Sequence, residues 1–351
     1  MFLFLQLDMV EKEALFWKII NKEKKIVQCQ LCPHFCTLKP GERGKCKVRE
    51  NQQGKLYSLV YGKPCSLALD PIEKKPFYHF LPGEQALSIA TAGCNLSCKH
   101  CQNWEISQSF PENIPSMNLS PQDVVEEAKK LKSRIISYTY TEPTIFYEYM
   151  LDIAKLAKKS KSEIKNTIVS NGFINPEPLK ELCRYIYGAN IDLKSISDDF
   201  YKKICGANAG VKPILESLKI LKQKGVWTEI TNLLIPGLND NEEDIEKLVL
   251  WVKENLGKET VVHFTAFYPT YKLSNLPRTS LETLKKARKV ALSEGLKYVY
   301  TGNLPDDEGD STFCPKCKEI LIKRRFFSII ENKIKRGKCF NCGEKIAGVW
   351  K

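Results

Sequence analysis

The 351-residue chain has no apolar run approaching the roughly 20 residues that a membrane-spanning helix requires. Its start, Met1–Leu7 (MFLFLQL), is apolar but short. It has neither a basic leading region nor a cleavage site, so it does not read as a secretory leader. Met9, followed by polar residues, is an alternative start. There is no internal repeat, no low-complexity tract and no RRM or KH signature. What remains is an ordinary globular composition, 43% hydrophobic and 27% charged, long enough for one large domain with small modules. A cytoplasmic protein with no membrane partner is expected. The missing leader also changes the meaning of fourteen cysteines. In a reducing compartment they read as metal ligands rather than a disulfide framework.

Those cysteines fall into sets. Cys94-Asn-Leu-Ser-Cys98-Lys-His-Cys101 places three thiols in one short loop, and the next cysteine is Cys183. Three thiolates this close suit three corners of a [4Fe–4S] cluster, leaving one iron open for a ligand. A zinc knuckle or buried structural thiols are the bland alternatives. Cys314-Pro-Lys-Cys317 and Cys339-Phe-Asn-Cys342, 21 residues apart, form a zinc-ribbon pattern. Cys29, Cys32, Cys36 and Cys46 form a third set, for which zinc is slightly favoured over a second iron–sulfur cluster. His34 and Cys65 are additional candidate ligands there.

Between the outer sets, short apolar runs alternate with amphipathic helical patterns, the signature of βα units on a parallel sheet. Strands are expected at 86–92, 135–140, 167–170, 189–193, 226–234 and 261–266, with a seventh at 298–301. Six units are too few for an eight-stranded barrel. The chain therefore divides into 1–85 (a helical lead-in over 1–27, with apolar Leu15, Ile19 and Ile20 among charges, then the cysteine-rich metal-binding segment), a core at 86–305, and a linker with ribbon at 306–351. Chemistry in such folds collects at the carboxyl ends of the strands, and these ends are polar: Thr141-Glu142-Pro143, Ser170-Asn171-Gly172, Asp192-Leu193-Lys194 and Asn232 onward. Glu142 is also in place to begin a helix before Pro143, and Asn171-Gly172 to make a tight turn. His263, alone on the sixth strand, is a candidate for the substrate side, but a lone strand histidine reads first as a satisfied core residue.

The C-x3-C-x2-C loop resembles that of radical S-adenosylmethionine (SAM) enzymes. The runs CQLCPHFC, DPIEKKPFYHF, GCNLSCKHCQNWEIS, YTYTEPT, VSNGF, LLIPGLND, FTAFYPTYKL and GLKYVYTGN, with the ribbon, resemble the radical SAM protein of the AmmeMemoRadiSam system, itself similar to pyruvate formate-lyase activating enzymes. The resemblance implies an α/β fold with a partial (β/α)6 barrel. It implies a [4Fe–4S] cluster on Cys94, Cys98 and Cys101, and SAM held by Glu142, Asn171, Asp192, Lys194 and Asn232. It also implies partnership with Memo-type and Amme-type proteins and a reductant such as flavodoxin or ferredoxin. Two departures stand out: His100 occupies a position often aromatic in the family, and the paired glycines usual before Glu142 are missing.

The expected activity is reductive cleavage of SAM and hydrogen abstraction from a macromolecule, as in glycyl-radical activases. An RNA-modifying enzyme is the second reading, since residues 313–351 hold eleven Lys or Arg against three Glu. A solvated lysine-rich surface explains the same charge. A non-catalytic metal-binding scaffold is the third reading.

Overall fold

The structure, a computed structural model, describes residues 12–160 and 163–351. The apolar start and Met9 lie outside the described residues. The helical lead-in expected over 1–27 is corrected where it is described: strands β1 (Lys12–Glu13), β2 (Trp17–Asn21) and β3 (Ile26–Cys29) occupy it. The Leu15, Ile19 and Ile20 stripe that suggested a helix faces solvent, at 39%, 54% and 48% exposure. Adjacent β-branched residues favour a strand. Asn21 Oδ1 accepts the Lys24 backbone N–H and closes the β2–β3 turn. That hairpin delivers Cys29, paired with Trp17. Strands β4 (Thr37–Leu38), β5 (Arg49–Gln52) and β6 (Lys55–Ser58) complete two small sheets, β2-β3-β4 and β1-β6-β5.

Among the described residues the main sheet has eight strands that pair in chain order, from Ser66–Pro71 at one edge to Tyr298–Gly302 at the other. Seven are parallel: β8 (Gln85–Ala90), β9 (Ile135–Tyr138), β10 (Lys165–Ser170), β11 (Gly188–Asp192), β12 (Trp227–Leu234), β13 (Val261–Ala266) and β14 (Tyr298–Gly302). The seventh strand expected at 298–301 is therefore present and follows six βα units. The sheet also begins earlier than residue 86. β7 (Ser66–Pro71) joins antiparallel to β8, with Ser66 opposite Ala90. Among the described residues neither edge strand has a second strand partner, so the sheet is not closed.

Helices α2 (Pro121–Lys130), α3 (Tyr147–Lys159), α4 (Pro176–Leu182), α6 (Lys212–Gln223), α7 (Glu242–Leu256) and α8 (Leu281–Ser293) follow the first six parallel strands. The short α1 (Trp104–Ser107) and α5 (Asp198–Phe200) sit in loops. Capping explains the sharp starts: Ser120 and Asp123 form a reciprocal box at α2, and Asn241 and Ser280 cap α7 and α8. One core runs from Val27 through the barrel to Leu304.

The ribbon strands β15 (Thr312–Phe313), β16 (Ile320–Arg325) and β17 (Ser328–Asn332) build a separate small core with Tyr78, Tyr298 and Tyr300. The FYHF turn fills the amino-terminal end of the barrel. Glu229 on β12 accepts the backbone N–H groups of Tyr78 and His79 at 2.9 and 2.8 Å, and His263 Nε2 at 2.7 Å. His263 is thus a satisfied interior residue. No helix among the described residues is long and apolar enough to cross a membrane.

Candidate active site at the carboxyl ends of the strands

Parallel strands place their carboxyl ends together, and the chain after β8 turns directly into the cysteine loop. Gly93 makes that turn at φ +95°. A Cβ there would lie 2.6 Å from the Cys46 carbonyl, so only glycine allows the close approach. The loop leans on the chain after β11. Ser97 and Lys99 donate their backbone N–H groups to the Cys205 and Ile204 carbonyls, both at 2.9 Å.

The structure brings most of the expected residues together. Asn171 Nδ2 donates to Asn95 Oδ1 at 2.9 Å and lies 3.9 Å from Cys94 Sγ. Asn95 Nδ2 returns a bond to the Phe173 carbonyl at 2.8 Å. Lys194 Nζ meets Asp192 Oδ2 at 2.7 Å and interacts with Cys98 and Cys205. Burial opposes the Lys194 charge, but Asp192 and the two thiols outweigh it and hold the ammonium protonated. Cys98 is held below the ordinary thiol range, first by a hydrogen bond from Cys205, then by Lys194, against the penalty of burial. Burial pushes Cys94 and Cys101 the other way.

Glu142 is capped into the scaffold. Its Oε1 accepts from Thr144 N (2.9 Å), Thr144 Oγ1 (2.6 Å) and Ser170 Oγ (2.8 Å), and its Oε2 from Asn171 N (2.8 Å). Burial raises its pKa despite these donors. The helix-starting role is thereby occupied, and Oε2 keeps one acceptor position. Asn232 Nδ2 donates to the Leu193 carbonyl at 2.7 Å, fixing the backbone beside Lys194.

Three residues were missed in the sequence. Cys205, buried at the end of a π-helical turn (Tyr201–Cys205), groups with Cys98 and His100, their ligand atoms within 4.8 Å. Asn95 lies inside the cysteine motif. Asn239, in the LLIPGLND run, donates to the Lys194 carbonyl at 2.6 Å. His100, 3% exposed, has neither ring nitrogen bonded. Three thiols on one short loop, a buried imidazole with no hydrogen-bond partner among the described residues and a Lys–Asp pair fit a cluster with one open iron and a charged ligand beside it.

The four ribbon thiols lie within 4.8 Å of one another, with Cys314–Cys342 at 3.6 Å and Cys317–Cys339 at 3.7 Å, a geometry suited to one metal ion. His34 does not complete the amino-terminal set. Its Nε2 donates to the Asn95 carbonyl at 2.7 Å. Cys65 leads into β7, its backbone N–H on Ala90 O.

The radical SAM superfamily model matches residues 88–252. An uncharacterized protein of Methanocaldococcus jannaschii is 47% identical over 337 residues, 95% of this chain and 98% of its own length. A pyruvate formate-lyase-activating enzyme of Clostridium pasteurianum is 25% identical over 219 residues, 58% of this chain and 87% of that enzyme. A 4-hydroxyphenylacetate decarboxylase activating enzyme of Clostridium scatologenes is 24% identical over 170 residues, 45% of this chain and 53% of that enzyme. The chain belongs to the radical SAM superfamily. It is a radical SAM enzyme, related to activating enzymes.

Proposed function

We propose that the protein abstracts hydrogen from a macromolecular substrate, in the manner of a glycyl-radical activase. The carrying observation is the joining of the Cys94–Cys101 loop to two strand ends, to Asn171 through Asn95 and to Lys194 through Cys98, while Asn232 holds the Leu193 carbonyl beside Lys194. A [4Fe–4S] cluster with SAM, when bound, supplies reductive cleavage of SAM and a hydrogen-abstracting radical. Cys94, Cys98 and Cys101 would hold the cluster. Lys194 and Asp192 offer opposite charges to the SAM carboxylate and ribose hydroxyls, and Glu142 Oε2 offers an acceptor to the amino group. Asn171, Asn232 and Asn239 keep these groups in place.

The unclosed sheet supports a large substrate, and a protein partner is favoured because the named relatives are activating enzymes. By the resemblance of its sequence runs, the partners are Memo-type and Amme-type proteins, and the electron donor is a flavodoxin or ferredoxin of the cytoplasm. The ribbon metal is read as zinc, because four thiolates at these spacings match a closed tetrahedral site. The basic tail keeps RNA as a second substrate class, although one of its eleven cations, Arg324, is 1% exposed and cannot grip phosphate.

The test is 5′-deoxyadenosine formation by anaerobically reconstituted protein with SAM and dithionite. Wild type is expected to form it and Cys98→Ala to fall to background. Equal yields from both would sink the reading. A glycyl-radical signal on an added protein partner, with none of the deuterium of a labelled RNA transferred to the product, would place the substrate among proteins.

A further inference from the structure

We infer that Cys29, Cys32, Cys36 and Cys46 hold a second [4Fe–4S] cluster, countercharged by Arg49 and seated against the Cys94–Cys101 loop. The four sulfurs form one group. Cys29, Cys32 and Cys46 feel one another's charge, and each feels that of Cys36. Gly44 lies between two of them, its Cβ position 3.6 Å from Cys46 Sγ and 3.7 Å from Cys36 Sγ.

Their width separates iron–sulfur from zinc. A tetrahedral zinc with bonds of about 2.3 Å draws its sulfurs to about 3.8 Å from one another. The ribbon thiols have closed to that range. Among the described residues, no three sulfurs of the amino-terminal set gather within 4.8 Å, and neither do those of Cys94, Cys98 and Cys101. The amino-terminal thiols are thus not drawn together as a zinc site draws its ligands, while Cys36 and Cys46 still flank one point at Gly44, which leaves room for a cluster between the sulfurs.

Arg49 supplies an independent observation. It is 1% exposed, and its Nη2 donates to the Leu15 carbonyl (2.6 Å) and to Glu148 (2.9 Å). Among the described residues its Nε and Nη1 have no hydrogen-bond partner, and its guanidinium interacts with Cys29, Cys32 and Cys46. Buried N–H groups left without acceptors are costly. A cluster with four thiolates carries net negative charge and sulfur acceptors in the place these donors lack them. The backbone N–H groups of Leu31, His34 and Val48 already point at Cys29, Cys32 and Cys46. Such bonds to sulfur are among the determinants of cluster potential. The same His34 whose N–H meets Cys32 donates its ring Nε2 to Asn95, next to Cys94.

The test uses full-length Cys94→Ala/Cys98→Ala/Cys101→Ala protein, reconstituted anaerobically with ferrous iron and sulfide. With the radical SAM site removed, the outcome is independent of SAM chemistry. About four iron and four sulfide per chain are expected, with an electron paramagnetic resonance signal after dithionite that disappears when Cys32→Ala/Cys36→Ala is added. Iron at background with two zinc per chain would overturn the assignment. Should the triple variant not fold, wild-type protein decides: about eight iron per chain supports the second cluster, and about four overturns it. Arg49→Gln/Glu148→Gln, which leaves no buried charge unpaired, should lower the midpoint potential of that signal. An unchanged potential would overturn the countercharge role.

Discussion

At one end of the chain, Cys314 and Cys342 stand 3.6 Å apart on a ribbon with its own small core. At the other, Cys29 and Cys46 belong to the same core as the barrel, and their sulfurs keep a wider spread. Each set has a fully buried arginine, used differently. Arg324 bonds to the Thr312 hydroxyl (2.8 Å) and the Tyr78 carbonyl (2.7 Å), pinning the ribbon to the barrel floor. Arg49 spends only Nη2 on the protein and leaves two nitrogens beside the thiols. Equal cysteine counts therefore conceal two designs, a self-contained staple and a centre built into the enzyme's interior. The spread of the sulfurs and the nearest cation tell them apart; the spacing in sequence does not.

The strongest way to break the comparison is to truncate the two arginines. Arg49→Leu strands the Glu148 carboxylate, 0% exposed, with the Leu15 N–H as its remaining partner. A loss of about 3–5 kcal/mol of stability is expected, with much of it recovered in Arg49→Met/Glu148→Gln. Arg324→Leu removes two bonds to neutral acceptors and a longer 3.9 Å pairing with buried Glu73, a carboxyl that burial already raises and that can take up a proton, so about 2–3 kcal/mol is expected. That loss should be local: faster proteolysis before β15, with barrel melting unchanged. Denaturant titration and limited proteolysis separate the two. Equal global losses would erase the distinction.

A second test exploits opposed titrations at the ribbon junction. Burial holds the His79 imidazole neutral, its pKa lowered to about 4, while Nδ1 donates to Ala347 O and Nε2 accepts from Tyr300. Between pH 4 and 6.5 the unfolded chain binds this proton and the fold does not, so this contribution to stability falls on acidification. Burial raises Asp310 to about 7, so between its ordinary value and pH 7 the fold holds a proton that the unfolded chain lacks. Its contribution falls as pH rises. Each slope is at most about 1.4 kcal/mol per pH unit, and the two nearly cancel. Asp310→Asn should expose the histidine, with stability dropping by up to about 3 kcal/mol from pH 6.5 to 4. His79→Gln should reverse the slope. A flat profile in Asp310→Asn would mean that His79 is free to protonate in the fold.

Much of this molecule was legible beforehand because its central chemistry is local. A three-cysteine loop and polar residues at strand ends are contiguous in sequence, and six βα units announce themselves by period. The missed features are non-local. Nothing near Arg49 in sequence reveals Glu148, and Cys205 meets Cys98 only because a π-helical turn after β11 packs under the loop. The lead-in misled because Leu15, Ile19 and Ile20 match helical spacing, yet the strand pairing that positions Cys29 decides their conformation. Glu142 shows a third case: both of its readings were visible in sequence, and only the four donors around it reveal which is occupied.

The smallest effect separates the two sets at their glycines. Gly343, following Cys342, sits at φ +73° with open space around it, so Gly343→Ala suffers backbone strain alone, about 1–2 kcal/mol. Gly44 is outside the left-handed region, and its added Cβ would make ordinary contacts with Cys36 and Cys46. Alanine there also restricts the unfolded chain, so Gly44→Ala should be neutral or gain up to about 1 kcal/mol. Melting curves paired with iron analysis check both. Retained iron in Gly44→Ala fits sulfurs spread around a cluster, with the methyl resting against two of them. Loss of iron at unchanged apo stability would mean that the bound group draws Cys36 and Cys46 inward to zinc-like distances, and the contrast between the sets would collapse.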